Sequence, residues 1–418
     1  MTQDLQIASG WGEAPSARYE TLARRFRGLL NEIRASAAER EVRRILPHDH
    51  VRALASAGFT ALRVPQEYGG SGSTLPELFH LLIELGEADS NVAQSLRSHL
   101  GFVEQVLNAP RSPWREAWLQ RIAQGTLIGP GRSESGDVEQ GKRATQLLQI
   151  DGRWILRGTK FYSTGVLYAD WIDVGATAAD GTAQVVLVPR HAPGVEPLDD
   201  WNGFGQRLTS SGTTHYRDVE VDSAQIRPDD QRFAYYQAFF QLVHLANAAG
   251  IGRAISRETA QAVRERTRSF SNGNAPLVRD DPQVLEVVGR LRAAAYSAGA
   301  IVQHNARAIE RVWQAAQGDD AAALAQARAI ADLEIAQAQG IVFQLVLDAS
   351  TELFDALGAS STLVPLALDR FWRNVRTLAT HNPSIYKTRI AGDFAVNGTP
   401  APDQWAIGVV RPTLKAAA

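Results

Sequence analysis

The sequence predicts a three-part chain that is helical first, β-rich in the middle and helical again to its end. Three observations carry that prediction. Apolar residues recur at three- and four-residue steps across 15–125, short alternating runs around Asp-Gly pairs follow, and four long amphipathic segments come after Pro228.

In the first part, SARYETLARRFRGLLNEIRASAAERE sets Arg and Glu between regularly spaced apolar residues, the pattern of an amphipathic helix. A second helix, HDHVRALASAGF, stops at Gly58 and gives way to VPQEYGGSGST, a loop by its Pro and Gly content. Ser73 or Thr74 then caps TLPELFHLLIELGEAD, with Glu77 in the first turn, where a carboxylate suits the helix dipole.

From about residue 126 the period changes. LLQIDGRWILRGTKF holds two β-type runs around Asp151-Gly152, a strong hairpin dipeptide. WIDVGATAADGTAQVVLVPR repeats the pattern around Asp180-Gly181, and THYRDVEVD alternates again. Helices return in FAYYQAFFQLVHLANAAGIGRAISRETAQAVRERTRSF, PQVLEVVGRLRAAAYSAGAIVQHNARAIERVWQAA and AAALAQARAIADLEIAQAQGIVFQLVLDASTELFDALG. A fourth segment, PLALDRFWRNVRTLATHNPSIYKTRIAGDF, is broken near Pro383. Long helices on short links predict a bundle. The expected domains are helical (1–125), β (126–225) and helical bundle (226–418).

Composition bounds the function. A chain of 418 residues with Lys+Arg 43, Asp+Glu 45 and a formal net charge of -2 gives no case for nucleic acid or an anionic membrane surface. Without cysteine there are no disulfides, thiol nucleophiles or thiolate metal sites. MTQDLQIASGWGE lacks the basic-then-apolar pattern of a leader, and no run approaches the ~18 apolar residues that cross a membrane. The expectation is a soluble, cytoplasmic protein.

Familiar site motifs are missing. GSGSTL, GFGQRL and GIGRAI all lack the third glycine of a Rossmann turn, and there is no Walker A loop or G-x-S-x-G elbow. His48 and His50 begin a helix with no third ligand nearby, so no metal site is expected. The unusual stretch is GTKFYSTGVLYADW (158–171). Its aromatic and β-branched residues predict a strand, yet Ser163, Thr164 and Gly165 interrupt it with small polar groups.

Four strings in order over about 20–400 resemble the acyl-CoA dehydrogenase superfamily. VPQEYGGSGSTLPEL is similar to its P-x-x-x-G-G segment, and RSESGD (132–137) to its flavin-contacting loop. GTKFYSTG resembles the strand beside the flavin ring, and FGQRLTSSGTTHYRDVEV its G-x-R-x-S element. The finer resemblance is to the reduced-flavin-dependent monooxygenase branch, through FYSTG with YADW, DDWNGFGQR with TSSGT, LDRFWRNVRT, and HNPSIYK with GDFAVNG. It implies an acyl-CoA dehydrogenase-like fold: an N-terminal α-helical domain, a central β-barrel domain and a C-terminal four-helix bundle that mediates a homotetramer.

Acyl thioester dehydrogenation needs a carboxylate to remove the α-proton. The superfamily places it at the start of the last bundle helix or on the first long one. Here neither Arg370–Gly392 nor Phe233–Arg257 contains Asp or Glu, and His381-Asn382-Pro383 stands at the first of these places. The resemblance therefore implies a two-component monooxygenase. It would use reduced FMN (FAD remains open) supplied by a separate flavin reductase, act through a C4a-hydroperoxide, and oxygenate a small organic, best an organosulfur, molecule. Ser163 is placed beside flavin N5 and His381 beside the reacting oxygen. His99 lies on an amphipathic helix, where core packing and an active-site role stay equally open. Ser133, Ser135, Trp201, Ser210 and Ser211 would line the flavin; Arg268, with Arg266 an equal alternative, and Arg370 with Asn374 would meet its phosphate. The rival readings are an FAD-dependent acyl-CoA dehydrogenase, an N-oxygenase of an amine or amino sugar, and a non-catalytic binding protein.

Overall fold

The computed structural model describes residues 9–230, 232–402 and 407–409. Most of the stretch read for a leader, residues 1–8, lies outside the described residues. In chain order the elements are α1 (Tyr19–Ala35), α2 (Ala37–Arg43), α3 (His48–Ser56), α4 (Leu75–Ala88), α5 (Ser90–Ser95), α6 (Arg97–Leu107) and α7 (Pro113–Ala123). Strands follow: β1 (Ile128–Gly131), β2 (Gln146–Ile150), β3 (Arg153–Lys160), β4 (Trp171–Ala178), β5 (Ala183–Pro189), β6 (Val195–Pro197), β7 (Thr214–Val221) and β8 (Ile226–Pro228). The chain then returns to helices α8 (Tyr236–Glu265), α9 (Pro282–Ala315), α10 (Ala321–Leu357), α11 (Arg370–Thr380) and α12 (Ser384–Asn397).

These elements form two compact units. The helical unit joins Met1–Arg97, Asn202–Thr209 and Ala234–Ala401. Its N-terminal helices share a unit with the bundle because α4 packs along α8 and α9. The β unit comprises Ser98–Trp201, Ser210–Phe233 and Pro402–Ala418, so α7 and all of α6 after Arg97 go with the sheet.

In the helical unit the expected cap is Thr74. Its hydroxyl accepts from the Glu77 N–H, and the Glu77 carboxylate accepts in return from the Thr74 N–H (2.8 Å), a capping box. Arg18 and Ser16 also donate to Glu77, so despite burial its carboxyl is held down to about 2. In the bundle, α8, α9 and α10 pack on one another. By length and composition α10 is apolar enough to cross a membrane, contrary to the sequence expectation, because its many alanines raise hydropathy without bulk. Its buried Ile335, Val342, Val346 and Leu353 are those of a bundle core helix.

The β unit carries one eight-stranded sheet in the order β6-β7-β3-β2-β4-β5-β8, with β1 also on β4. Its outermost strands β6 and β8 are not paired with each other among the described residues, so this sheet path is open. Asp151 and Gly152 (φ 50° and 76°) close the β2–β3 hairpin as the dipeptide predicts. Leu156, Val174, Val186, Tyr216 and Val219 form its core; Tyr216 and Val219, three residues apart, share one face because the β3–β7 register shifts between Leu156 and Gly158, opposite Asp218 with its φ of 51°.

Candidate functional site

In the β unit, strand β3 does not run on through FYSTG; it ends at Lys160. Tyr162 (φ 60°) and Gly165 (φ 89°) turn the backbone into the left-handed region, and Val166–Tyr168 make one 3-10 turn. Ser163 thus sits in a loop, not on a strand. The loop is nonetheless fixed: the Ser163 N–H donates to the Gly212 carbonyl (3.1 Å) and the Gly165 N–H to that of Ser210 (3.2 Å). The Ser210 hydroxyl accepts from the Leu167 N–H (3.0 Å), and the hydroxyls of Thr164 and Ser211 share a bond of 2.8 Å. A side chain at position 212 would overlap Asp200 Oδ1, so the opposing loop needs its glycine.

Ser163 is 1% exposed, and its hydroxyl has no partner among the described residues. Leaving such a group unsatisfied costs about 1–3 kcal/mol, so the loop holds a donor ready for something else. Exposed aromatic surface lies beside it: the rings of Phe161 and Tyr162 are 4.5 Å apart, and those of Tyr162 and Trp201 6.1 Å. An orphan hydroxyl beside flat apolar faces fits the polar edge and ring of a flavin.

The RSESGD loop alternates outward and inward. Ser133 and Ser135 are exposed, while Glu134 turns inward and accepts from the Ala144 N–H (2.6 Å), the Thr145 N–H (3.0 Å), the Thr145 hydroxyl (2.7 Å) and Lys160 Nζ (2.5 Å). Burial works against the Glu134 charge, but Lys160 and the other donors prevail and lower its pKa. Burial pushes Lys160 down to about 8, still above neutrality, so the pair is ionised at pH 7. The Ser133 carbonyl accepts from the Phe161 N–H (3.1 Å), tying this loop to the start of the Ser163 loop. His99, on α6, is buried; its Nδ1 accepts from the Ile128 N–H (3.2 Å), which leaves the neutral ring's proton on Nε2.

In the helical unit, Pro383 separates α11 from α12 and leaves His381 capping the first of them. Its ring packs against that of His244 from α8 in a tilted contact, with centroids 4.4 Å apart at 48°. His244 is 1% exposed, with no partner on either ring nitrogen. Desolvation, then the charge of Arg97, then His381 depress its pKa well below the usual value. Desolvation and then Arg97 push His381 down to about 3. Both imidazoles are therefore neutral at pH 7. The turn itself is held by Asn382 Nδ2, which donates to Gln241 Oε1 (3.0 Å), where Gln339 Nε2 also donates (2.8 Å).

The expected phosphate ligands differ in how far this chain already satisfies them. Arg268 is exposed, and its guanidinium bonds to no described residue. Arg266, its alternative, donates to the Leu357 carbonyl at the end of α10. Arg370 pairs with Glu258 (2.6 Å) and lies over the Phe371 ring. Asn374 accepts from the Gln206 N–H (2.6 Å) and donates to Ser90 Oγ (3.0 Å). Arg370 and Asn374 line a small polar cavity with Glu41, Asp89 and Asn91.

Sequence reading missed His244, Gln241, Glu134 and Lys160. For the first two a signal existed: Gln241, His244 and Asn247 recur every third residue in the otherwise apolar QLVHLANAAGIG, and all are buried. For Glu134 and Lys160 there was none, because the distance along the chain hides their pairing.

Comparison with known proteins agrees with this architecture. The family model for the acyl-CoA dehydrogenase N-terminal domain matches residues 17–126, and that for the C-terminal domain residues 242–383, together more than half of the chain. The chain is 27% identical over 388 residues to dibenzothiophene monooxygenase of Rhodococcus erythropolis, covering 89% of this chain and 92% of that one. It is 26% identical over 384 residues to SfnC of Pseudomonas putida, described as a probable FMNH2-dependent monooxygenase, covering 90% and 95%. Among solved structures, methanesulfinate monooxygenase of Pseudomonas fluorescens aligns with a TM-score of 0.82 at 26% identity, covering 91% of this chain and 98% of that one.

Proposed function

The chain belongs to the acyl-CoA dehydrogenase family, and from that premise we propose that it is a two-component flavin-dependent monooxygenase acting on a small organosulfur molecule. One observation carries the reading. Both stretches where the family keeps its α-proton base lack Asp and Glu, and a neutral histidine pair in ring contact, His244 and His381, occupies them instead. The sulfur chemistry named for the relatives supports the substrate class.

When bound, reduced FMN supplies two electrons, so that one atom of O2 enters the substrate and the other leaves as water. The chain's own groups do the rest. The unpartnered Ser163 hydroxyl donates to the cofactor's polar edge, and Ser133, Ser135, Ser210, Ser211 and Trp201 position its ring and ribityl chain. Arg268 meets the phosphate; Arg370 and Asn374 complete that end by holding α11 and the 202–209 segment in place. His381, neutral and fixed by its turn, holds a proton at a ring nitrogen and passes it on. His99, with its proton on Nε2, is a second donor.

A separate reductase delivers the reduced flavin, the protein acts in the cytoplasm, and it assembles as a homotetramer. The last point is supported by α12, which buries no residue within the chain and exposes Ile385, Tyr386, Phe394 and Val396. The test is direct. Protein mixed with chemically reduced FMN, a candidate organosulfur compound and 18O2 should yield product carrying one labelled oxygen. Reoxidation of FMN at the rate seen in buffer, with no label in product, would refute the reading.

A further inference from the structure

We propose that Arg97 makes the substrate site of the helical unit selective for small organic anions, such as a sulfinate or sulfonate, over neutral molecules of the same shape. The inference concerns the substrate class of the monooxygenase reading and rests on it. In the same unit Arg40 pairs with Asp89 (2.6 Å), Arg370 with Glu258 (2.6 Å) and Arg373 with Glu41 (2.7 Å). Arg97 does not. Its Nε donates to the Phe240 carbonyl (3.3 Å) and its guanidinium lies 4.6 Å over the Phe240 ring. Neither Nη group bonds to a described residue, and no described carboxylate acts on it; besides desolvation, only Tyr236 does.

A cation enclosed without a counter-ion is costly unless an anion completes it. Here the completing anion has a defined setting. The guanidinium lies over the Phe240 ring, itself 4.8 Å from that of Tyr236, and its two Nη groups can fork onto two oxygens of one anion. The Arg97 charge also acts on both His244 and His381, so the cation belongs to the same cluster as the histidine pair. His244, buried with two unpartnered nitrogens, adds a second polar group that the chain leaves unsatisfied there. A sulfinate or sulfonate satisfies both needs with one charge and several acceptor oxygens. A protonated amine would be repelled, which separates this site from an amine N-oxygenase.

The test needs no turnover. Methanesulfonate and dimethyl sulfone are nearly isosteric and differ in charge; their binding to the FMN-loaded full-length protein is measured by calorimetry. Methanesulfonate should bind at least tenfold more tightly than the sulfone. Arg97→Gln should remove that preference while changing sulfone and FMN affinity by less than about twofold, and Arg97→Lys should keep part of it. Equal affinities in the unaltered protein would overturn the proposal, as would an unchanged preference in Arg97→Gln. Loss of FMN affinity would also overturn it, reassigning the arginine to the cofactor. If Arg97→Gln fails to fold, the unaltered protein and Arg97→Lys still decide. Because binding is read directly, an absence of oxygenation would sink the enzymatic reading without touching this result.

Discussion

Removing the carboxylate of Glu134 should unseat the RSESGD loop and destabilise the β unit at once. Lys160 is wholly buried and its charge has one ionic partner, so Glu134→Gln leaves an ammonium facing an amide that cannot neutralise it. Breaking a buried pair from one side costs about 3–5 kcal/mol. The Gln carbonyl can still accept from Ala144 or Thr145, which puts the expected loss near the lower figure. Lys160→Met acts differently: Glu134 keeps its Ala144 and Thr145 donors, and the loss should be about 1–2 kcal/mol. The double variant removes the stranded charge altogether and should be milder than the sum of the singles by about 2 kcal/mol or more. Urea titration by tryptophan fluorescence measures stability; fluorescence quenching of added FMN measures the second consequence, weaker flavin binding as Ser133 and Ser135 lose their anchor. Glu134→Gln within about 0.5 kcal/mol of the parent, or strict additivity in the double variant, would refute the reasoning.

Three further outcomes follow from single groups. Ser163→Ala removes a hydroxyl that bonds to no described residue, so apo stability should stay level or rise by up to about 1 kcal/mol while FMN affinity falls roughly tenfold; a parallel loss of both would show a structural role instead. Below pH 6.5 the protein should weaken. Burial, then Arg253, hold His80 at about 4, and His244 titrates well below 6.5, so the unfolded chain binds more protons as pH falls, at about 1.4 kcal/mol per pH unit for each histidine. Urea midpoints level from pH 7 to 5 would contradict this, and His244→Gln should reduce the slope. If the proposed tetramer forms through α12, Val396→Glu with Ile385→Glu should give smaller species by analytical ultracentrifugation without unfolding the protein; an unchanged mass would remove α12 from the interface.

Much of the fold was legible because it is written in local periodicity. The long helices, the Thr74 cap, the Asp151-Gly152 hairpin and the break at Pro383 all rest on residues within a few positions of one another. The Ser163 segment misled for the same reason: its aromatic residues have strand propensity, but Tyr162 and Gly165 adopt left-handed backbone so that the loop can pair with 210–212. No propensity encodes that pairing. The division into units was also invisible, since it depends on α4 finding α8 and α9 far along the chain. Among the site residues, sequence could nominate types but not say which were already satisfied. Arg266 and Arg268 were equal on paper; what separates them is that Arg266 is engaged by the Leu357 and Arg268 carbonyls and the Phe270 ring.

The histidine pair sits in a setting that suits a neutral ring better than a carboxylate. His381 ends α11, where the helix dipole favours a cation. Left to that influence the ring would tend toward the imidazolium. Desolvation and the Arg97 charge pull the other way and prevail, so the ring is available as a neutral proton relay. A carboxylate in the same place would meet the opposite balance, because Arg97 would hold it ionised and engage it as a partner. The cation that suits a neutral histidine is therefore the one that would compromise a family-type base. Arg97, His244 and His381 are best understood as one electrostatic unit, in which the missing acid and the uncompensated arginine are two sides of a single arrangement.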